Sequence, residues 1–464
     1  MASPSSPKAS AQGLSVISEL LICLVMFNEG VQIQLIYPML KSSVESFLTA
    51  EQGVEYAEEH APVYSFWLTS SYYFASALAG VVYGRIADRF GRRKAILSGL
   101  FGSVGASLLF AISTSYTLAL TARILTGLLD CNLAMLKAYI GDVTTAANQS
   151  RVTSNAMLMF ALAVVVSPLV GGMMSGASLP GLGYAPCFFP SLTSAIMSLT
   201  IAVACLWFLP ETPSFQSLRD EVVQAPIEHA SGNRQSRWSV IEFVKVYRLE
   251  ATTILFYGWF SFFLYGTDHA FPLFTQETKG HGLSLARERI ALFLMAQGIA
   301  WCACQLVIYP PIADRFGNVR AFQLGCLMLA VSIPAVFLPS LLPDAQAMLL
   351  VIVIVRGFGQ GIIFTSVVVL INNSTTCATK GTVAGVAHSF SSLSRAFGIV
   401  TIGALWSFGK VNACMYLPFV VAGTFLVVLV AASFALPGSL RYPKPEPGCL
   451  TSKEVGLVDI CAAS

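Results

Sequence analysis

Six ionisable side chains stand within or at the ends of otherwise apolar stretches: Glu29, Arg123, Asp130, Asp268, Arg356 and Arg395. At bilayer depth such a group costs several kcal/mol unless it faces a cavity or a partner, so each needs a purpose. Glu29 lies in a polar patch with Asn28 and Gln32, which favours a cavity over simple pairing with a neighbouring helix. Arg123, Asp130 and Lys137 recur at seven-residue spacing. On a helix this drifts by only about 20° per heptad and keeps the three on one face. Arg123 and Asp130 are two turns apart, about 10 Å of rise, so direct pairing between them is strained. A partner on another helix, or a solute, fits better than an internal charge ladder. Asp268 and His269 stand toward the end of their run, equally consistent with a cavity and with the membrane interface. Burial favours a carboxylate's proton and a nearby Arg expels it. A Glu29 or Asp130 whose partner changes between two states would load and release a proton. Both signs together suit a zwitterion, a small organic acid, a metal chelate or a drug-like cation.

The elements that hold these residues follow from composition. Of 464 residues, 55% are hydrophobic and 11% charged, with a mean hydropathy of +0.70. Soluble domains carry about 25% charged residues. The chain therefore reads as an all-α polytopic membrane protein embedded in a lipid bilayer. Twelve helices of about 20 residues fit its length with ordinary loops. The net charge of +3 gives no reason to expect nucleic acid. The five His lack metal-ligand spacing, and eleven scattered Cys, an odd count, argue against a disulfide framework. Only Cys187 and Cys414 fall near expected outer loops, where a bridge has no further support. No Ser/His/Asp, metal-ligand or phosphate-loop constellation suggests an enzyme, a metal or a cofactor.

The strongest internal signal is a repeat. Gly84-Arg85-Ile86-Ala87-Asp88-Arg89-Phe90-Gly91-Arg92-Arg93-Lys94 holds five positive residues against one Asp, between two apolar runs. Such a segment stays in the cytoplasm. Its core, Ile86 to Gly91, returns unchanged as Ile312-Ala313-Asp314-Arg315-Phe316-Gly317, again between apolar runs. Duplication is the simplest cause. The first copy resembles the signature loop between spans two and three of the major facilitator superfamily. The second stands where that superfamily has its loop between spans eight and nine, with Pro310, Asn318 and Val319 as departures. The resemblance implies two pseudo-symmetric six-helix bundles. It also implies a gating role for Gly84, Asp88, Arg89, Gly91, Arg92, Arg93, Asp314, Arg315 and Gly317, with Asp88 latching onto helix ends of the opposite half.

In chain order, residues 1–15 form a tail, with a weakly basic start that does not read as a secretory leader. Residues 16–209 form the first bundle, beginning with a span from about Val16 to Leu40. The acidic stretch Lys41 to Ala61 reads as an outer loop. Arg123-x-x-x-Gly127 resembles the superfamily's span-four motif, whose Arg is implicated in proton coupling. In span five, Ser167-Pro168-Leu169-Val170-Gly171-Gly172 resembles the antiporter motif and keeps Pro168, Gly171 and Gly172 for kinking and close packing. It has Ser167 and Ala163 where the motif has Gly. Leu209-Pro210-Glu211-Thr212-Pro213 stops span six, and 210–250 is a polar linker. Residues 251–438 form the second bundle, in which Arg356-Gly357 is the counterpart of the Arg123 segment and span eleven carries His388 and Arg395. Residues 439–464 are a polar tail, whose Cys461-Ala462-Ala463-Ser464 matches a prenylation pattern by chance, because twelve spans need no lipid anchor. Sequons at Asn148, Asn372 and Asn373 fall in expected cytoplasmic loops and should carry no glycan.

Short pieces around Leu128 to Tyr139 and Ser391 to Gly398 are similar to zinc-induced-facilitator-like members of the drug–proton antiporter group. The resemblance implies a monomeric transporter in the plasma membrane or an organelle membrane, with both termini cytoplasmic. It would move a small-molecule substrate by alternating access, with protons in antiport. An uncoupled facilitator and a non-transporting receptor on the same fold are the alternatives.

Overall fold

The computed structural model describes residues 15–129, 132–144, 148–174, 178–179, 183–184, 187–212, 248–276, 282–285, 287–342, 346–375, 380–437 and 440. Its helices form twelve spans. The first half contributes Val16–Gln34, Val54–Phe90, Arg92–Ala111, the pair Tyr116–Leu129 and Asn132–Val143, then Gln149–Met174 and Phe188–Phe208. The second contributes Arg248–Gln276, residues 287–316, Asn318–Ala335, Gln346–Ser374, Lys380–Val411 and Leu417–Ser433. Helices dominate because hydrocarbon offers no partner for backbone N–H and C=O groups, so each segment must satisfy its own. A two-residue antiparallel ladder, Ser178–Leu179 on Gly183–Tyr184, joins spans five and six.

The basic segment expected as a loop is almost entirely helix. Span two runs to Phe90 and span three starts at Arg92, with Gly91 alone between them at φ 97°. In the second half Gly317 does the same at φ 82°, between Phe316 and Asn318. A left-handed φ is inexpensive only for glycine, which explains why the repeat keeps its final residue.

The expected outer loop Lys41 to Ala61 is likewise helical. Tyr37–Gln52 forms an extra helix, Gly53 turns the chain, and span two already begins at Val54. The cause is a hidden apolar stripe. Val44, Phe47 and Leu48, then Ala57 and Ala61, lie at helical spacing and pack on Leu68, Phe110 and Ala119, while Glu51 and Glu55 stay exposed.

Span eight contains a π-turn at Cys304–Ile308, just before Tyr309-Pro310-Pro311. Two consecutive prolines remove two donors from the helical ladder, and the wider turn accommodates the lost bonds. Asn372 and Asn373 are corrected too: they are buried in the last turn of span ten rather than in a loop. Asn373 donates to the Leu440 carbonyl at 3.0 Å, so neither side chain is presented to a glycosylating enzyme.

The halves meet in a belt of aromatic rings. Phe160 of span five lies 5.9 Å from Trp301 of span eight, which stacks at 5.3 Å on Phe364 of span ten. Phe364 meets Tyr265 at 6.2 Å and Tyr265 meets Tyr73 of span two at 5.7 Å.

Candidate functional site

Several polar clusters interrupt this apolar interior, and three of them hold the ionisable residues. The first lies in the second half. Arg356 Nη2 donates to Asp268 Oδ1 at 2.6 Å and to Thr267 Oγ1 at 3.0 Å. Gln360, one turn after Arg356, donates to both Asp268 oxygens at 3.1 and 3.2 Å, and Gln297 of span eight donates to Gln360 at 2.9 Å. Arg356 is fully buried, whereas 35% of the Asp268 side chain stays accessible. Asp268 is thus paired across spans seven and ten with one side left accessible. His269 faces elsewhere, its Nδ1 3.0 Å from the Tyr265 carbonyl of its own helix.

The second cluster lies in the first half. Gln32 Nε2 donates to Ser198 at 2.9 Å, Ser198 donates to Asn28 at 2.8 Å, and Ser107 donates to Gln32 Oε1 at 3.1 Å. Spans one, three and six are joined through side chains in the polar patch read from the sequence. Glu29 is buried at 1% exposure. Arg123 places its guanidinium 4.8 Å from the centre of the Tyr72 ring. Gly127 makes this approach possible, because a Cβ there would overlap the Tyr72 carbonyl and come within 2.8 Å of Ala75. Gln32, Ser107, Arg123 and Thr126 line a small cavity with Ser191 and Ser194. Asp130 lies outside the described residues.

The third cluster joins the halves. Lys137 Nζ of span four and Arg395 Nη2 of span eleven both donate to the Tyr257 hydroxyl of span seven, at 2.7 and 2.8 Å. Arg395 also faces the Tyr265 ring at 4.4 Å and the Tyr73 ring at 5.8 Å. About two turns earlier on span eleven, His388 Nε2 sits 2.7 Å from Ser76 Oγ of span two. The sequence placed Lys137 on the Arg123 face and singled out His388 and Arg395. Tyr257 and Ser76 had no signal there, because a Tyr or Ser in an apolar helix is ordinary.

The gating residues gather at one end. Glu211, just past span six, accepts from the backbone N–H of Arg92 and Arg93 at 2.8 and 3.2 Å, capping span three from outside its own chain segment. Arg92 Nε bonds Asp142 Oδ2 at 3.0 Å, and Arg93 donates to the Leu206 carbonyl. These contacts tie spans three, four and six into one unit. Arg89 is exposed and faces the Phe90 ring at 5.4 Å. Gly84 meets span eleven at Gly385, whose Cβ would lie 3.1 Å from the Gly84 Cα. The side chain of Asp88 lies outside the described residues. In the second copy Asn318, standing where Arg92 does, accepts from the Tyr309 hydroxyl at 2.8 Å, while Asp314 and Arg315 are exposed. Glu211→Ala should lower the unfolding midpoint, at a cost of about 1 kcal/mol for the lost cap. Thermal unfolding followed by Trp fluorescence checks this, and Glu211→Gln, which keeps an acceptor, should lose less.

In span five, Gly171 packs against the Leu35 carbonyl at the end of span one, and Ala163 faces Gly30 of the same helix. The side chain of Pro168 and the surroundings of Gly172 lie outside the described residues. Cys187 and Cys414 are free thiols. Cys187 donates to Ser43 at 3.2 Å, and burial pushes its thiol up to about 11, so it is inert rather than paired.

Residues 22–399 match the family model described as Major Facilitator Superfamily. A probable peptide/nitrate transporter of Arabidopsis thaliana is 23% identical over 87% of this chain and 86% of its own length. Protein ZINC INDUCED FACILITATOR 1 of the same plant is 24% identical over 89% of this chain and 90% of its own. Among solved structures, the human organic anion transporter MFSD10 superposes with a TM-score of 0.70 at 16% identity, covering 90% of this chain and 99% of that one. That likeness concerns the fold.

Proposed function

Because the chain belongs to the Major Facilitator Superfamily, a family of multi-pass membrane transporters and not of enzymes, we propose that it moves a small organic solute by alternating access in exchange for protons. The observation that carries this reading is the Asp268–Arg356 pair: a carboxylate with one accessible side, held at 2.6 Å by a fully buried guanidinium. Such a carboxylate can exchange its Arg partner for a proton when the surrounding helices shift. Glu29, Arg123 and Asp130 are the corresponding candidates in the first half. Two six-helix halves joined by a linker would rock about a site near the midplane, and one chain supplies both. In this reading the basic end from Gly84 to Lys94 is cytoplasmic, with both termini and the linker on the same side. Asp88, Arg89, Arg92 and Arg93 with Asp314 and Arg315 close that end. Pro168, Gly171 and Gly172 set the approach of span five to span one.

The test is flux by purified protein in liposomes, with and without an imposed pH gradient, against drugs, organic acids and metal chelates. Flux that follows the gradient and falls in Glu29→Gln, Asp130→Asn or Asp268→Asn supports antiport and names the proton site. Flux indifferent to the gradient supports the uncoupled facilitator, a reading favoured by Ser167 and Ala163 in the span-five motif. No flux for any compound supports a receptor.

A further inference from the structure

We infer that Lys137 and Arg395 together receive an anionic group of the transported solute, and that the Tyr257 hydroxyl holds its place when no solute is bound. The inference rests on the transport reading and narrows its substrate class.

Both cations are buried, Lys137 at 8% and Arg395 at 1% exposure. Among the described residues neither meets a carboxylate: the ion pairs there are Arg92–Asp142, Arg151–Glu19 and Arg356–Asp268. Instead, Lys137 and Arg395 share one phenol oxygen at 2.7 and 2.8 Å. Such an oxygen has two acceptor lone pairs, both of them used here, and the repulsion between the two like charges has no carboxylate to offset it. The rings of Tyr73, Tyr257 and Tyr265 soften it in part. An oxyanion would do more. It offers further lone pairs, a full negative charge and a second edge for a guanidinium. That second edge is vacant, since Arg395 Nε is buried with no hydrogen-bond partner, and His388 Nδ1 close by is in the same condition.

Geometry also says when the anion enters. The cavity beside Lys137, Tyr257 and His388 measures about 10 Å³, the size of one water, so the surrounding helices are closed around the two cations here. Lys137 belongs to the first half and Arg395 to the second. Two like charges facing across the halves oppose their approach, and an anion between them reverses the sign. Binding and closure are thereby linked through the same two side chains.

Four probes of equal size test this with the full-length protein in detergent: 2-naphthoate, 2-naphthalenesulfonate, 2-naphthamide and 2-naphthylmethylamine. Thermal shift and Trp quenching read binding. Only the two anions should bind. Lys137→Met and Arg395→Gln should each weaken them about 30-fold, the scale of a lost charged hydrogen bond, while Lys137→Arg and Arg395→Lys should cost about fivefold or less. Tyr257→Phe keeps both cations and removes their placeholder, so it should tighten anion binding about threefold or more. If the charge-removing variants fail to fold, Tyr257→Phe decides, and unchanged affinity there overturns the inference. Preference for the amine or the amide also overturns it, as does a response to chloride with none to the organic anions. Flux of cations or neutral solutes alone would sink this inference and leave transport standing. Anion binding with no flux of any solute would uphold the receptor and sink transport instead.

Discussion

Asp268→Ala is expected to be among the most damaging single substitutions in this protein, in stability and in flux alike. It strands the Arg356 guanidinium, which is fully buried and whose Nε and Nη1 already lack hydrogen-bond partners. Removing one member of a buried ion pair costs about 3–5 kcal/mol, because the survivor keeps its desolvation penalty and loses its compensation. The low end, about 3 kcal/mol, applies here, since a third of the Asp268 side chain is accessible and that exposure screens the pair. Asp268→Asn keeps the shape and an acceptor oxygen, so it should spare most of the stability. If Asp268 carries the proton, the Asn variant should still exchange solute for solute across a liposome membrane but no longer accumulate it against a pH gradient. Asp268→Leu combined with Arg356→Met should recover the unfolding midpoint, because replacing both members by apolar groups is often neutral or better. Flux should not return with it. Gradient-driven accumulation that survives in Asp268→Asn would move the proton site to Glu29 or Asp130.

The second large effect is expected at the crossing of spans two and eleven. A Cβ on Gly385 would lie 2.5 Å from the Gly80 carbonyl oxygen and 3.1 Å from the Gly84 Cα. Both obstacles are backbone, so no side chain can swing aside. Overpacking a core costs about 1–3 kcal/mol. If the two halves rock as proposed, that cost is relieved by parting the halves rather than by unfolding. Gly385→Val should therefore shift the population toward the state open at the basic end by roughly 5- to 150-fold, at 1.4 kcal/mol per factor of ten. Spin labels at the exposed positions Lys94 and Arg320, one in each half, should report longer distances in the variant. Solute-for-solute exchange should slow with it. An unchanged distance distribution would mean that this crossing does not hold the end closed.

Both predictions concern contacts between segments far apart in sequence, and there the sequence spoke unevenly. It singled out Asp268 and Arg356 separately, because an ionisable group in an apolar run is conspicuous on energetic grounds. It could not pair them, since 88 residues separate them and helical periodicity fixes only the face a side chain occupies on its own helix. The spans least apparent as membrane helices are instructive. Seven are long and apolar enough to be recognised by composition. Spans two, seven and eleven are not among them, and they carry Ser76, Tyr257, Asp268, His388 and Arg395. Polar residues lower the apolar signal of the helix that carries them, which makes these three spans harder to read, whereas spans one, four and ten keep the signal despite Glu29, Arg123, Lys137 and Arg356.

By itself the sequence determined the membrane class, from apolar run length and the energetic cost of buried charge, and its repeated hexapeptide, through the family it resembles, implied twelve spans in two halves. The glycine that ends each copy has the left-handed φ, 97° and 82°, that only glycine adopts cheaply. It mistook the stretch after span one for a loop, because the acidic residues there hid a stripe whose partners, Leu68, Phe110 and Ala119, lie further along the chain. Only the tertiary structure decided that Lys137, Tyr257 and Arg395 would meet at one oxygen. A tyrosine on an apolar helix carries no energetic mark of its own, and its neighbours come from helices 120 and 138 residues away, brought together by packing between the two halves.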